Sequence, residues 1–123
     1  MKELEPTATR SLSERGVEAS ARFLTMRGYE ILETNWQCEA GEIPIIARKD
    51  SELCFIEVAI RSNDSALPRE VQCDSKRERF ERIAIRYLYT YEETNIKVRF
   101  DEISLLVLGE GRALLRHHIN CLN

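Results

Sequence analysis

Two apolar runs of similar length, residues 41–48 and 53–60, flank the polar segment Lys49-Asp50-Ser51-Glu52, and this arrangement restricts the chain more than any other feature. A turn-prone segment between two such runs is a β-hairpin signature. With Asp50-Ser51 as a two-residue loop, Lys49 pairs with Glu52 and Ile46 with Phe55. Counting outward then places Pro44 opposite Glu57 and Glu42 opposite Ala59. Side chains alternate along a strand, so Ile43, Ile45 and Ala47 share one face with Cys54, Ile56, Val58 and Ile60, and that face is apolar throughout. The other face is apolar near the turn and turns polar at its far end, with Glu42, Glu57 and Arg61. A sheet buried on both sides with one polar end is a common setting for a site.

Glu57 stands out because it interrupts the most apolar run of the chain, where an unpaired carboxylate costs several kcal/mol. The segment Gly41-Glu42-Ile43-Pro44, followed by Phe55-Ile56-Glu57-Val58-Ala59-Ile60-Arg61, resembles the YraN family of bacterial proteins. Further segments agree in order along nearly the whole chain: Arg15-Gly16-Val17-Glu18-Ala19 with Arg22-Phe23-Leu24, Gly28-Tyr29-Glu30-Ile31-Leu32, Asn35-Trp36, Lys76 within a basic helix, and Arg99-Phe100-Asp101. The resemblance implies a restriction-endonuclease-like fold related to Holliday-junction resolvases, an α/β mixed sheet flanked by helices in the order αβββαββ. It also implies a homodimer, since junction enzymes of related fold are two-fold dimers.

The same resemblance shows what the chain lacks. The family's first strand reads Gly-Glu-Ile-Asp and its second Glu-Val-Lys, which supply the Asp, Glu and Lys of a PD-(D/E)xK nuclease. Here Pro44 replaces the Asp and Ala59 the Lys, and Val17 stands where the family has a Glu in the first helix. Such a site hydrolyses phosphodiesters with Mg²⁺ held by carboxylates and a lysine near the attacking water. Proline and alanine supply neither ligand nor charge. Pro44 also lacks a backbone donor and calls for a bulge or a non-hydrogen-bonded position. Glu42 is a poor substitute, about 6.5 Å along the strand, and an arginine such as Arg61 cannot act as a base at neutral pH. The vestigial site is therefore Glu57, Glu42, Pro44, Ala59 and Val17, with Glu57 held by Arg61 or Lys76 rather than by a metal. No cofactor is expected; Mg²⁺ enters only if a residual nuclease uses Glu57 with a migrated group.

The 123 residues, 43% hydrophobic and 32% charged, suit one domain with one real core. Residues 1–10 read as a flexible arm and residues 11–123 as the single endonuclease-like domain. The chain has no apolar stretch of membrane length and no apolar signal core near Met1, so a cytoplasmic protein is expected. Cys38, Cys54, Cys73 and Cys121 are widely spaced and read as reduced thiols rather than a zinc site. Ser11-Leu12-Ser13-Glu14 has capping-box spacing for a helix that ends near Gly28, with Val17, Ala21 and Leu24 inward. A strand over residues 29–34 precedes the hairpin. Ser75-Lys76-Arg77-Glu78 is a second capping box, opening a helix whose inner face carries Phe80, Ile83, Ala84, Tyr87, Leu88 and Tyr91. Strands over residues 96–108 and 113–119 complete the pattern.

A net charge of −3 argues against a generally basic surface, yet residues 76–86 hold Lys76, Arg77, Arg79, Arg82 and Arg86 against two acids. With Arg61, these are the candidate contacts to nucleic acid, with DNA as the partner. The bland alternative is a solvated face of Glu/Arg pairs such as Glu78 with Arg82, in which case the partner is an unknown protein. Trp36, Tyr87 and Tyr91 read as packing residues, Arg99 with Asp101 as a local ion pair, and His117 and His118 as surface histidines on opposite strand faces. The expected function is a catalytically degenerate nuclease-like protein that retains nucleic-acid binding. The alternatives are a structural or protein-interaction module, and a residual metal-dependent nuclease.

Overall fold

The computed structural model describes residues 11–62, 73–109 and 111–121, without the side chains of residue 62 and residues 73–76; the arm expected over residues 1–10 lies outside them. Helix α1 (Leu12–Met26) begins at the capping box. The Ser11 hydroxyl accepts from the Glu14 N–H and the Glu14 carboxylate accepts from the Ser11 N–H, both at 3.1 Å. The chain leaves the helix through Gly28 at φ +93°, a backbone angle suited to glycine. Then follow β1 (Glu30–Cys38), β2 (Gly41–Lys49), β3 (Glu52–Ser62), α2 (Cys73–Leu88), β4 (Lys97–Gly109) and β5 (Arg112–His118). This is the expected αβββαββ order. The strands form one five-stranded sheet in sequence order, antiparallel except for the parallel β3–β4 pair, with a helix on each face.

Several boundaries differ from the sequence reading. Strand β1 continues to Cys38 because β2 pairs with it as far as Cys38↔Gly41. Helix α2 already includes Ser75, so Ser75 does not cap it. It ends at Leu88, where the Thr90 N–H and hydroxyl both donate to the Tyr87 carbonyl at 2.9 and 2.8 Å and close a turn. Tyr91 lies beyond the helix, yet its ring still packs on Tyr87 at 5.9 Å. Arg48 of β2 donates to the Tyr91 hydroxyl at 2.8 Å and pairs with Glu93, anchoring this segment to the sheet.

The hairpin turns at Asp50 (φ +57°) with Lys49 opposite Glu52 and Ile46 opposite Phe55, as expected. Its pairing stops at Ile45↔Ile56, so neither Pro44 with Glu57 nor Glu42 with Ala59 forms a pair. Ile45 belongs to the α1-side cluster with Val17, Leu24 and Ile56, whereas Ile43 belongs to the α2-side cluster with Phe55, Phe80 and Ile83. Regular alternation would have put Ile43 and Ile45 together. The pleat inverts at Pro44 and, on β1, at Asn35 (φ +52°), which lies between the pairs Thr34↔Ile45 and Trp36↔Ile43. Proline has no N–H to give a ladder, and asparagine tolerates left-handed backbone better than most residues.

A buried polar cluster on the α1 side ties Tyr29, just before β1, to β3, β4 and β5. Asp101 is fully buried and accepts from Arg99 Nε (3.1 Å), His117 Nε2 (2.8 Å) and the Asn120 N–H (2.8 Å). Arg99 also donates to the Tyr29 hydroxyl and to Glu52, each at 2.5 Å. His117 is thus not a surface histidine. Its ring meets Phe23 and Tyr29 edge-on, because His117 lies opposite Ile103 on the inward face of β5. Burial alone would push the Asp101 carboxyl up; the hydrogen bonds from His117, Arg99 and Asn120 outweigh it and hold the group below the usual aspartate range.

A depressed carboxylate contributes stability above its unfolded pKa and loses that contribution as pH falls through its folded value. The stability of the wild type should therefore drop as pH falls below about 4. Asp101→Asn should flatten that acid limb and cost about 3 kcal/mol at pH 7, since Arg99 is left partly uncompensated. Urea titrations of both proteins across pH 2.5–7 (roughly the window in which aspartates titrate) provide the check.

Candidate functional site

Glu57 lies on β3 just beyond the last β2 pair, at the point where the sheet opens. On its other side it neighbours Glu102 of β4, so two carboxylates from adjacent parallel strands meet on the α2 side. Glu102 is 2% exposed and the Glu57 side chain 19%. Arg79 of α2 reaches this point. Its Nη2 lies 3.7 Å from Glu57 Oε2, and its guanidinium leans over the Phe80 ring at 5.4 Å. The arginine stem passes beside Gly41, where a Cβ would sit 3.8 Å from Arg79 Cδ; at φ +139° that position also favours glycine.

Ala59 and Arg61 share the face of Glu57 by strand alternation. Glu42 is exposed and, lying between Gly41 and Ile43, which both face α2, it points away from Glu57. Pro44 occupies the pleat inversion. Val17, 5% exposed, is packed in the α1-side cluster on the other side of the sheet. The structure therefore brings Arg79 and Glu102 to Glu57, and brings neither Glu42 nor Val17. Glu102 escaped the sequence reading, although Asp101-Glu102 inside an apolar strand places one carboxylate on each face and could have signalled it.

These residues do not fit a catalytic Mg²⁺. Pro44 and Ala59 offer no ligand, a guanidinium already faces Glu57, and no group of three or more His, Cys, Asp or Glu among the described residues is arranged to hold a metal ion.

Along the basic face of α2, Arg77 pairs with Glu81 at 3.3 Å and Arg86 with Glu39 at 2.8 Å. Arg82 is exposed and forms no ion pair among the described residues, so the expected pair with Glu78 is not made. The Lys76 side chain lies outside the described residues. Tyr89 is 84% exposed beside this face, whereas Trp36 is packed edge-on against Tyr87 at 5.2 Å. Cys38, Cys54 and Cys121 are free thiols; burial pushes the Cys54 thiol up to about 12, which leaves it unreactive at neutral pH. Cys73 lies outside the described side chains. No described helix is long and apolar enough to cross a membrane.

The profile of the family described as "Uncharacterised protein family UPF0102" matches residues 5–105. A UPF0102 protein of Myxococcus xanthus is 34% identical over 118 residues, covering 95% of this chain and 93% of the relative. Others from Roseiflexus castenholzii and Clostridium perfringens are 38% and 42% identical over 110 and 97 residues, covering 88% and 78% of this chain and 89% and 80% of the relatives.

Titration calorimetry with Mg²⁺ or Mn²⁺ should give no saturable heat below roughly millimolar concentration, the weak end of carboxylate cation sites. Arg79→Ala leaves Glu57 and Glu102 side by side without that cation and should cost about 1 kcal/mol, a fall of roughly 3–5 °C in the thermal midpoint.

Proposed function

The chain belongs to the uncharacterised protein family UPF0102, and from that premise we propose that it is a catalytically degenerate, nuclease-like protein that binds nucleic acid through α2 without cutting it. The observation that carries this reading is the Arg79 guanidinium facing Glu57 beside Glu102, a fixed cation where metal-assisted hydrolysis would need a metal ion and a lysine. Pro44 adds no metal ligand and Ala59 supplies no lysine.

Binding through α2 is supported by Arg77, Arg82 and Arg86 on its exposed side, with Tyr89 at its end. Two of these arginines are paired, but solvent-exposed ion pairs are worth about 0–1 kcal/mol, so a phosphate can displace Glu81 or Glu39. Arg61 and Lys76 are included in the proposed contact set, and the proposal takes the protein to act in the cytoplasm. Binding by an acidic chain of net charge −3 should be weak and steeply salt-dependent. A second reading, a protein-interaction module, draws on the same pairs: Arg77, Arg79 and Arg86 already have carboxylate partners within the chain.

Fluorescence anisotropy of labelled single-stranded, duplex and four-way-junction DNA in EDTA tests the proposal. Affinity should fall with salt at a log–log slope of about −2 to −3, as for three phosphate contacts, and should drop about tenfold in Arg82→Glu. No binding at low salt would favour the protein-interaction reading. Mg²⁺-dependent cleavage that disappears in Glu57→Ala would overturn the degenerate site.

A further inference from the structure

On the side of the sheet away from Glu57, α1 and strands β3, β4 and β5 line a half-open cavity of about 780 Å³. Its floor is aliphatic, formed by Ile60 of β3, Leu105 and Val107 of β4 and Ala113 of β5. Its rim carries Arg15 and Arg22 from α1 and Arg112 from β5, with Glu18 as the counter-charge among the described lining residues. None of the three arginines forms an ion pair among the described residues. Arg15 and Arg22 are two helical turns apart, about 10 Å along one face. Gly109 (φ +96°) and Gly111 (φ +75°), which also line the cavity, have nothing within 4 Å of a notional Cβ, so both positions border open space.

The volume is that of a small-molecule site, and an apolar floor with a few fixed polar groups is the usual composition of one. Three guanidiniums call for an oxyanion, which their planar forks hold by paired hydrogen bonds. The floor calls for hydrocarbon. A free inorganic anion would leave the aliphatic surface wet, and a nucleotide would find no aromatic side chain among the described lining residues to stack on. We infer that this cavity binds a single-chain organic anion, a carboxylate or phosphate monoester whose headgroup lies among Arg15, Arg22 and Arg112 and whose aliphatic chain lies on Ile60, Leu105 and Val107. The site stands apart from α2 and does not depend on nucleic-acid binding.

Titration calorimetry of the full chain with octyl phosphate, octanoate, inorganic phosphate and octanol, all below micellar concentration, tests this. Octyl phosphate or octanoate should bind saturably at one site, about tenfold or more tighter than inorganic phosphate or octanol, and the tighter of the two identifies the headgroup. Arg22→Gln and Arg112→Gln, both exposed and so compatible with folding, should each weaken the tailed anion about tenfold while leaving octanol unchanged. Ala19→Phe, which fills the cavity from α1, should abolish binding, with circular dichroism confirming the fold. Non-saturable uptake, equal affinity for inorganic phosphate, or unchanged affinity in both arginine variants would overturn the inference.

Discussion

Strands β3 and β4 run in the same direction from Glu52↔Lys97 to Ser62↔Val107, and a parallel pair cannot be closed by a turn. The chain has to leave the end of β3 and return to its beginning, and α2 lies in that crossover. The connection lays α2 across one face of the sheet and leaves the other to α1, which precedes all the strands. Strand β3 is consequently covered twice, and Leu53, Cys54, Phe55 and Ile56 are all fully buried. That double cover is why its sequence is a continuous apolar run rather than an alternating one. It is also why Glu57, the first polar residue after that run, falls where cover by β2 ends.

Two arginine–carboxylate contacts occupy the two faces and differ in kind. Around Asp101 the acceptors and donors match closely: Arg99, His117 and a backbone N–H all converge on a carboxylate with no exposure. At Glu57 the contact to Arg79 is longer, 3.7 Å, and a second carboxylate, Glu102, lies alongside. Adjacent residues in β4, Asp101 and Glu102, thus serve opposite layers. The first closes a structural knot, and the second adds negative charge where the sheet opens.

Much of this was legible in the sequence because it rests on local chemistry. The capping box at Ser11, the turn at Asp50-Ser51, the order of elements and the inward faces of both helices follow from spacing and residue type. What was not legible rests on contacts between distant segments. His117 looked like a surface residue because its partner, Asp101, is a strand away, and only the β4–β5 register brings them together. The placement of Ile43 was missed because alternation was carried through Pro44, although the missing N–H had already marked that position as irregular. Arg79 as a partner of Glu57 was not legible, because the sequence does not fix how the phase of α2 meets the end of β3.

The inversion at Asn35 and Pro44 moves a whole side chain from one core to the other. Ile43, fully buried, adds its volume to the layer under α2, where Phe55, Phe80 and Tyr87 already pack, and subtracts it from the layer under α1. Interiors are close-packed, so each layer is filled to suit that allotment. Restoring regular alternation at residue 44 would therefore do more than return a donor to the strand. It would hand an isoleucine to a layer with no room for it and leave a void of the same size in the other, so the two cores, although separated by the sheet, share a single volume constraint at this position.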